Sequence, residues 1–320
     1  MNYKGAIKYL AAVALIIVIG IFLYKQDAFK QLSNVSLEGY LFTILLLFFA
    51  YLLGGIQISY LLHRETKIAL TAGDIALLPC SINMFGYIIP TNGGMLYSVL
   101  FLKAKYRIDF VKTLSVGFGM VFISVMLNGL IGLFFCYIAK LRIEFFIASL
   151  LFLFSPFFAF AVGKLLSVLN FKKDTWLFRL RNFVQEALSQ SVALITQGHV
   201  FFTITFTSLI IILLNIGVYY WINVMLGTGL SFAATSLTIV LLNISSLIRI
   251  VPGNLGVEEL IASGIFSLTG SDPMTGALVT LFLRTVNLSL TIPLGILHTA
   301  INYQKIAEPL LQLRKGKKIV

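Results

Sequence analysis

The chain has 320 residues, 59 % of them hydrophobic and only 11 % charged, with a net charge of +12. A soluble domain carries about 25 % charged residues, so this composition cannot cover a water-facing surface and leaves no room for a soluble catalytic domain. The basic residues are scattered through short segments between apolar runs rather than gathered on one face, which argues against nucleic acid as a partner.

Taken in chain order, the apolar runs predict spans at 7–24, 39–62, 113–139, 145–169, 201–226 and 276–301, each long enough to match a bilayer crossing of about 20 residues. Lys4 and Lys8 precede the first run, and no small-x-small cleavage site follows it before Lys25, so it reads as a retained span rather than a signal peptide. Two further stretches behave differently. The run 75–102 is interrupted by Pro90-Thr91-Asn92-Gly93-Gly94, and 233–268 by Pro252-Gly253-Asn254-Leu255-Gly256. A turn-forming cluster at the centre of each leaves two halves too short to cross, so both are expected to be re-entrant helical hairpins. Residues 175–198 place Trp176, Leu180, Phe183, Ala187 and Leu188 at helical spacing, with Arg179, Arg181 and Glu186 between them. This is an amphipathic helix, either on the inner membrane surface or packed against the protein. Cys80 and Cys136 both sit in apolar runs and read as small buried hydrophobes.

Charge tests this drawing. With the N-terminus inside and both hairpins returning to their own side, inner segments hold 18 of the 24 Lys and Arg residues. Outer segments hold only Lys25, Lys30, Lys140 and Arg142, and Arg249 and Arg284 fall within the membrane. That asymmetry follows the positive-inside rule and places both termini on the cytoplasmic side of the cell membrane.

The two halves align without gaps at an offset of 162 residues: Pro90 on Pro252, Asn92 on Asn254, Gly94 on Gly256. Repeat one covers 39–139 and repeat two 201–301, within a single membrane domain of 320 residues. The additional span 145–169 makes the second unit begin on the opposite side, so the repeats are expected to be inverted. The expected fold is therefore an all-α polytopic membrane protein of about six transmembrane helices and two re-entrant hairpins. Inverted repeats with broken helices are a transporter architecture.

Candidate binding residues follow from the breaks. A half-helix starting at Gly94 or Gly256 would offer unpaired backbone N–H groups near mid-membrane, which favour an anion, with Asn92 and Asn254 as caps. Arg249, Glu258, Glu259 and Arg284 are ionisable residues in or beside apolar segments, where a charge at the bilayer centre costs at least about 2.5 kcal/mol and must face the interior or a cavity. They either form a neutral ion-pair cluster that locks the second hairpin to span 276–301, or bind a ligand. In the second case the arginines would hold a phosphate and a glutamate a cation, proton or amine. Repeat one has Tyr87, Tyr97 and Phe122 where repeat two has Arg249, Glu259 and Arg284, so any site is asymmetric. Asn83, Asn128, Asn215, Asn243 and Asn287 are expected to bond between helices. His63, His199 and His298 lie at span ends without metal spacing, and no GxSxG or Walker A sequence occurs, so neither enzyme activity nor a metal or cofactor is expected.

The segment Pro252-Gly253-Asn254-Leu255-Gly256-Val257-Glu258-Glu259 resembles the Pro-Gly-Gly-Leu-Gly-Val-x-Glu signature of the lysylphosphatidylglycerol synthase-like integral membrane family, the flippase-like domain family. Arg284 followed by Pro293 and Gly295 is similar to that family's last span. The resemblance implies that Glu259, Gly256 and Arg284 are site residues. The first half departs from it: Gly94-Met95 and Ser98 stand where relatives have Gly-Glu-x-x-Arg. The lysyl-transferring soluble domain of full-length relatives has no counterpart here, so lipid aminoacylation is not expected. The resulting expectation is a flippase-like transporter with a membrane lipid as partner, moving an anionic phospholipid or a polyprenyl-phosphate-linked glycan. The alternative is a non-transporting membrane subunit that supports a glycosyltransferase or other envelope-synthesis enzyme. A membrane-embedded transferase using Glu258 or Glu259 is the least supported reading.

Overall fold

The computed structural model describes residues 35–89, 93–138, 143–168, 176–245 and 254–304. These form α1 (Leu37–Thr66), α2 (Ala72–Ile88), α3 (Gly93–Tyr106), α4 (Phe110–Ile138), α5 (Ile143–Val168), α6 (Trp176–Ile195), α7 (Gly198–Met225), α8 (Phe232–Ser245), α9 (Val257–Leu268) and α10 (Pro273–Ile301). No strand occurs among the described residues. The expected span 7–24, Asn92 at the first break and Arg249 at the second lie outside them.

Among the described residues, four helices, α1, α4, α7 and α10, are long and apolar enough to cross a membrane. Their 28–30 residues reach about 42–45 Å, more than a hydrocarbon core of about 30 Å requires without tilt. Leu41, Phe42, Leu45 and Phe49 on α1, and Phe202 and Phe206 on α7, are exposed. Rows of exposed large apolar side chains on both helices suit lipid as the solvent. By contrast α2, α3, α8 and α9 have 17, 14, 14 and 12 residues. At 1.5 Å per residue, none of these exceeds about 26 Å. The sequence therefore makes broken helices at both expected positions.

Local signals set the ends. The Ser36 side chain accepts from the Gly39 amide at the start of α1, and Asp272 accepts from the Thr275 amide with Pro273 opening α10. Thr71 caps α2. α6 buries Ala187, Ser191 and Leu194, and its Ser191 and Ile195 lie against Gly119 of α4. Its apolar stripe thus packs on the bundle.

α10 is the spine that orders the hairpins. Near its start, Gly276 meets Ala262 and Phe266 in the C-terminal half of α9; Arg284 meets Glu258 and Glu259 in the first turn of α9. Asn287 then meets Tyr87 near the end of α2, Gly295 meets Met84, and His298 meets Ser81 in the middle of α2 and Asp74 at its beginning. The base of the second hairpin lies at one end of α10 and the base of the first at the other, 22 residues or about 33 Å of helix away. The inner ends of both hairpins, Tyr87 and Glu258, converge on Arg284 halfway along. The base of the first hairpin is closed by its own polar contacts, because Tyr106 at the end of α3 accepts from the Thr71 amide before α2.

Candidate functional site

Arg284 is buried within α10, and its Nη2 lies 3.0 Å from Glu258 Oε2 and 3.0 Å from Glu259 Oε1. The same nitrogen reaches the Asn254 carbonyl at 3.5 Å, and the guanidinium carbon stands 5.9 Å from the centre of the Tyr87 ring. The backbone places these groups. Asn254 and Gly256 take left-handed conformations, φ 52° and 82°, which asparagine and glycine tolerate best. The chain thereby turns sharply into α9 and presents adjacent glutamates in its first turn.

The two glutamates differ. Glu259 is 1 % exposed, and its Oε2 accepts from the Gly256 amide at 2.7 Å while Oε1 faces Arg284. It therefore caps its own helix and anchors the arginine. Glu258 is more accessible and lines a central cavity of about 240 Å³ together with Arg284. The walls of this cavity come from both halves of the chain: Tyr51 of α1, Asn83 and Tyr87 of α2, Asn215 of α7 and Asn243 of α8. One positive and two negative charges meet here among the described residues, and only the Glu258–Arg284 pair borders the cavity.

Glu258, Glu259 and Arg284 come together, and Asn254 stands beside them. The anticipated role of the glycines changes. The N–H of Gly256 is not bare, because the Glu259 carboxylate takes it up. Asn254 does not cap α9; its Nδ2 donates to the Ser245 carbonyl at 3.0 Å and ties the break back to α8. Gly94 lies at the α2–α3 crossing, where an added Cβ would come within 2.1 Å of the Ile82 carbonyl oxygen. Its role there is close helix packing, and neither glycine lines the cavity. The physical reason is local: a carboxylate three residues into α9 satisfies the helix start more cheaply than any mobile ligand, since its chain entropy is already lost.

The asparagines divide. Asn243 Nδ2 donates to Asn128 Oδ1 across two helices at 3.2 Å, and Asn287 joins Tyr51 to Tyr87. Asn83 donates within its own helix to the Pro79 carbonyl, and Asn215 has no hydrogen-bonding partner among the described residues. Both face cavity space.

A second polar cluster escaped the sequence reading. Asp74, 2 % exposed, receives Lys105 Nζ at 2.6 Å, the Tyr106 hydroxyl, Thr71 Oγ1 at 2.7 Å and His298 Nε2 at 3.2 Å. The other ring nitrogen of His298 lies 2.8 Å from Ser81 Oγ and 3.1 Å from the Tyr97 hydroxyl. Burial raises the Asp74 carboxyl, but the bonds from Lys105, Tyr106 and Thr71 outweigh it and bring it from 3.8 down to about 2. The available signal was Thr71-x-x-Asp74 at a helix start, with Lys105-Tyr106 closing the same hairpin. No group of three or more metal-ligating side chains converges among the described residues.

Comparison with known proteins gives one family. The family model described as the lysylphosphatidylglycerol synthase TM region matches residues 9–295. No curated protein and no solved structure gives a significant match.

Proposed function

The chain belongs to the lysylphosphatidylglycerol synthase TM region family, and from that premise we propose that it is a flippase-like transporter. It would carry the phosphate-bearing head group of a lipid across the cell membrane through the central cavity, with both termini cytoplasmic. The substrate class is an anionic phospholipid or a polyprenyl-phosphate-linked glycan. The observation that carries this reading is the convergence of the inner ends of two opposed hairpins on Arg284 at the wall of that cavity.

The helices support an inverted repeat. Lengths of 30, 17, 14 and 29 residues in α1 to α4 recur as 28, 14, 12 and 29 in α7 to α10. At an offset of 162, each helix starts within three residues of its counterpart. Two similar units in opposite orientation supply two alternative packings, one open to each side. In the resting arrangement Glu258 neutralises Arg284. An incoming phosphate competes for the guanidinium; where the same head group carries an amine, Glu258 turns to it, and the pair exchanges partners without leaving a buried charge alone.

The test is head-group flipping in proteoliposomes. Arg284→Ala and Glu258→Ala are expected to lower the rate at least about tenfold, the loss that goes with about 1.4 kcal/mol of binding or barrier. Wild-type rates in both variants would remove the site. A second reading rests on the same ion pairs: the cluster only locks the second hairpin to α10, within a subunit supporting an envelope-synthesis enzyme. Copurification with such an enzyme, and no flipping by the chain alone, would select it.

A further inference from the structure

The central cavity does not end at its ionic wall. A second chamber of about 320 Å³ adjoins it, and Asn83, Asn215 and Asn243 line both. These residues come from α2, α7 and α8, so one carboxamide from each of three separate helices stands at the junction. Beyond them the wall turns apolar, with Ile58, Ile82, Met120, Val121, Val125 and Ile212. The other polar side chains of that second chamber are already engaged: Gln57 Nε2 donates to Ser208 Oγ at 2.7 Å, and Asn128 Nδ2 donates to the Ser124 carbonyl of its own helix at 2.8 Å. They offer little to a ligand. Val121 is 36 % exposed, so the chamber is open rather than sealed.

Three environments thus follow in a fixed spatial order: ionic at Arg284 and Glu258, neutral carboxamide at the junction, then apolar. Candidate lipids carry these groups in different orders. In a diacylglycerol phospholipid the charged phosphate is joined to a neutral glycerol bearing two ester carbonyls, and then to the acyl chains. In a polyprenyl phosphate sugar the phosphate is attached directly to the hydrocarbon, and the neutral polar part lies on its far side. Seated with its tail in the apolar chamber, the second lipid would put its phosphate against neutral carboxamides and its sugar against an ion pair. The first would match all three environments.

We infer that Asn83 and Asn215, with Asn243, form a subsite for the glycerol ester linkage of a diacyl phospholipid. The inference rests on the transport site proposed above and narrows its substrate. Ester carbonyls accept hydrogen bonds and donate none, so their partner must supply N–H groups. Each primary amide carries two. Asn215 keeps both among the described residues, Asn83 commits one to the Pro79 carbonyl, and Asn243, which donates to Asn128 Oδ1, shapes the neck rather than supplying its main donors. Charged donors are not needed here, and a neutral neck avoids holding the phosphate midway along its path.

The experiment is displacement of a fluorescent phospholipid from the purified full chain in detergent. The competitors are dioleoyl phosphatidylglycerol, its diether analogue and undecaprenyl phosphate. The ester lipid is expected to compete about tenfold better than the diether, the scale of one or two hydrogen bonds, and better still than the polyprenyl phosphate. Asn215→Leu, at a partly buried side chain without partners among the described residues, should fold with an unchanged melting temperature and erase the ester–ether difference. Asn83→Ala should reduce it. Equal competition by undecaprenyl phosphate, or ester selectivity that survives both substitutions, overturns the subsite. Ester-selective binding without any flipping in proteoliposomes would remove the transport reading and leave the subsite standing. Flipping without ester selectivity would do the reverse.

Discussion

At the scale of single residues, the two charged clusters depend on carboxylates that do different work. Glu259 serves both the Gly256 amide and Arg284 while almost wholly buried, whereas Glu258 borders the cavity. Glu259→Gln removes a buried partner and is expected to destabilise the purified protein by about 3 kcal/mol, with Glu258→Gln costing less than half of that. The measurement is thermal unfolding in detergent; equal losses would contradict the division of roles. Asp74 makes a sharper case through pH. Its carboxyl is held at about 2, below its ordinary 3.8, so the charged form is favoured by folding. That stability is fully present above pH 4 and is lost as pH falls through about 2. Asp74→Asn should therefore lower the melting temperature at pH 7 and flatten the acid limb between pH 4 and 2. An acid limb identical to wild type would show that the Lys105, Tyr106 and Thr71 contacts do not hold the carboxyl down.

At the scale of elements, the hairpins meet α10 through close helix contacts as much as through charge. A Cβ on Gly276 would stand 2.7 Å from the Ala262 carbonyl oxygen of α9, and backbone cannot rotate away as a side chain can. Gly276→Leu is expected to push α9 off α10, draw Glu258 and Glu259 from Arg284, and cost about 2–3 kcal/mol. Gly217→Leu, which meets open space, should stay within about 0.5 kcal/mol. Comparable unfolding curves for the two variants would deny the close contact. The helices themselves were legible from sequence, because apolar run length and the proline–glycine breaks act locally: the expected 201–226 and 276–301 appear as Gly198–Met225 and Pro273–Ile301. The ionic cluster was also legible, since a charge in an apolar run demands a partner and Arg284 had Glu258 and Glu259 in reach. Two things were not. The capture of the Gly256 amide by Glu259 depends on rotamer and turn geometry. The Asp74–His298 pair joins residues 224 positions apart, and nothing in either local segment announces the other.

At the scale of the whole molecule, everything about transport turns on the hairpins approaching from opposite sides. The order of contacts along α10 puts Asp74 and His298 at one end and Gly276 with Phe266 at the other. If α10 crosses the bilayer, the loop before α2 and the loop before α10 must face different compartments. From the 18-to-4 division of basic residues we then expect the loop before α2 on the inner side. Gly73 meets no atom within 4 Å of an added Cβ, and Pro273 is exposed at the first position of α10, so cysteine fits at both. The native Cys80 and Cys136 are buried and give little background. A membrane-impermeant maleimide should label Pro273→Cys in intact cells and Gly73→Cys only in inside-out vesicles. Labelling of both from one side would mean that the chain between them does not cross as the opposed hairpins require. The midpoint at Arg284 would then be a packing contact in a one-sided bundle rather than a station between two faces, and no rocking of one half against the other could expose it alternately.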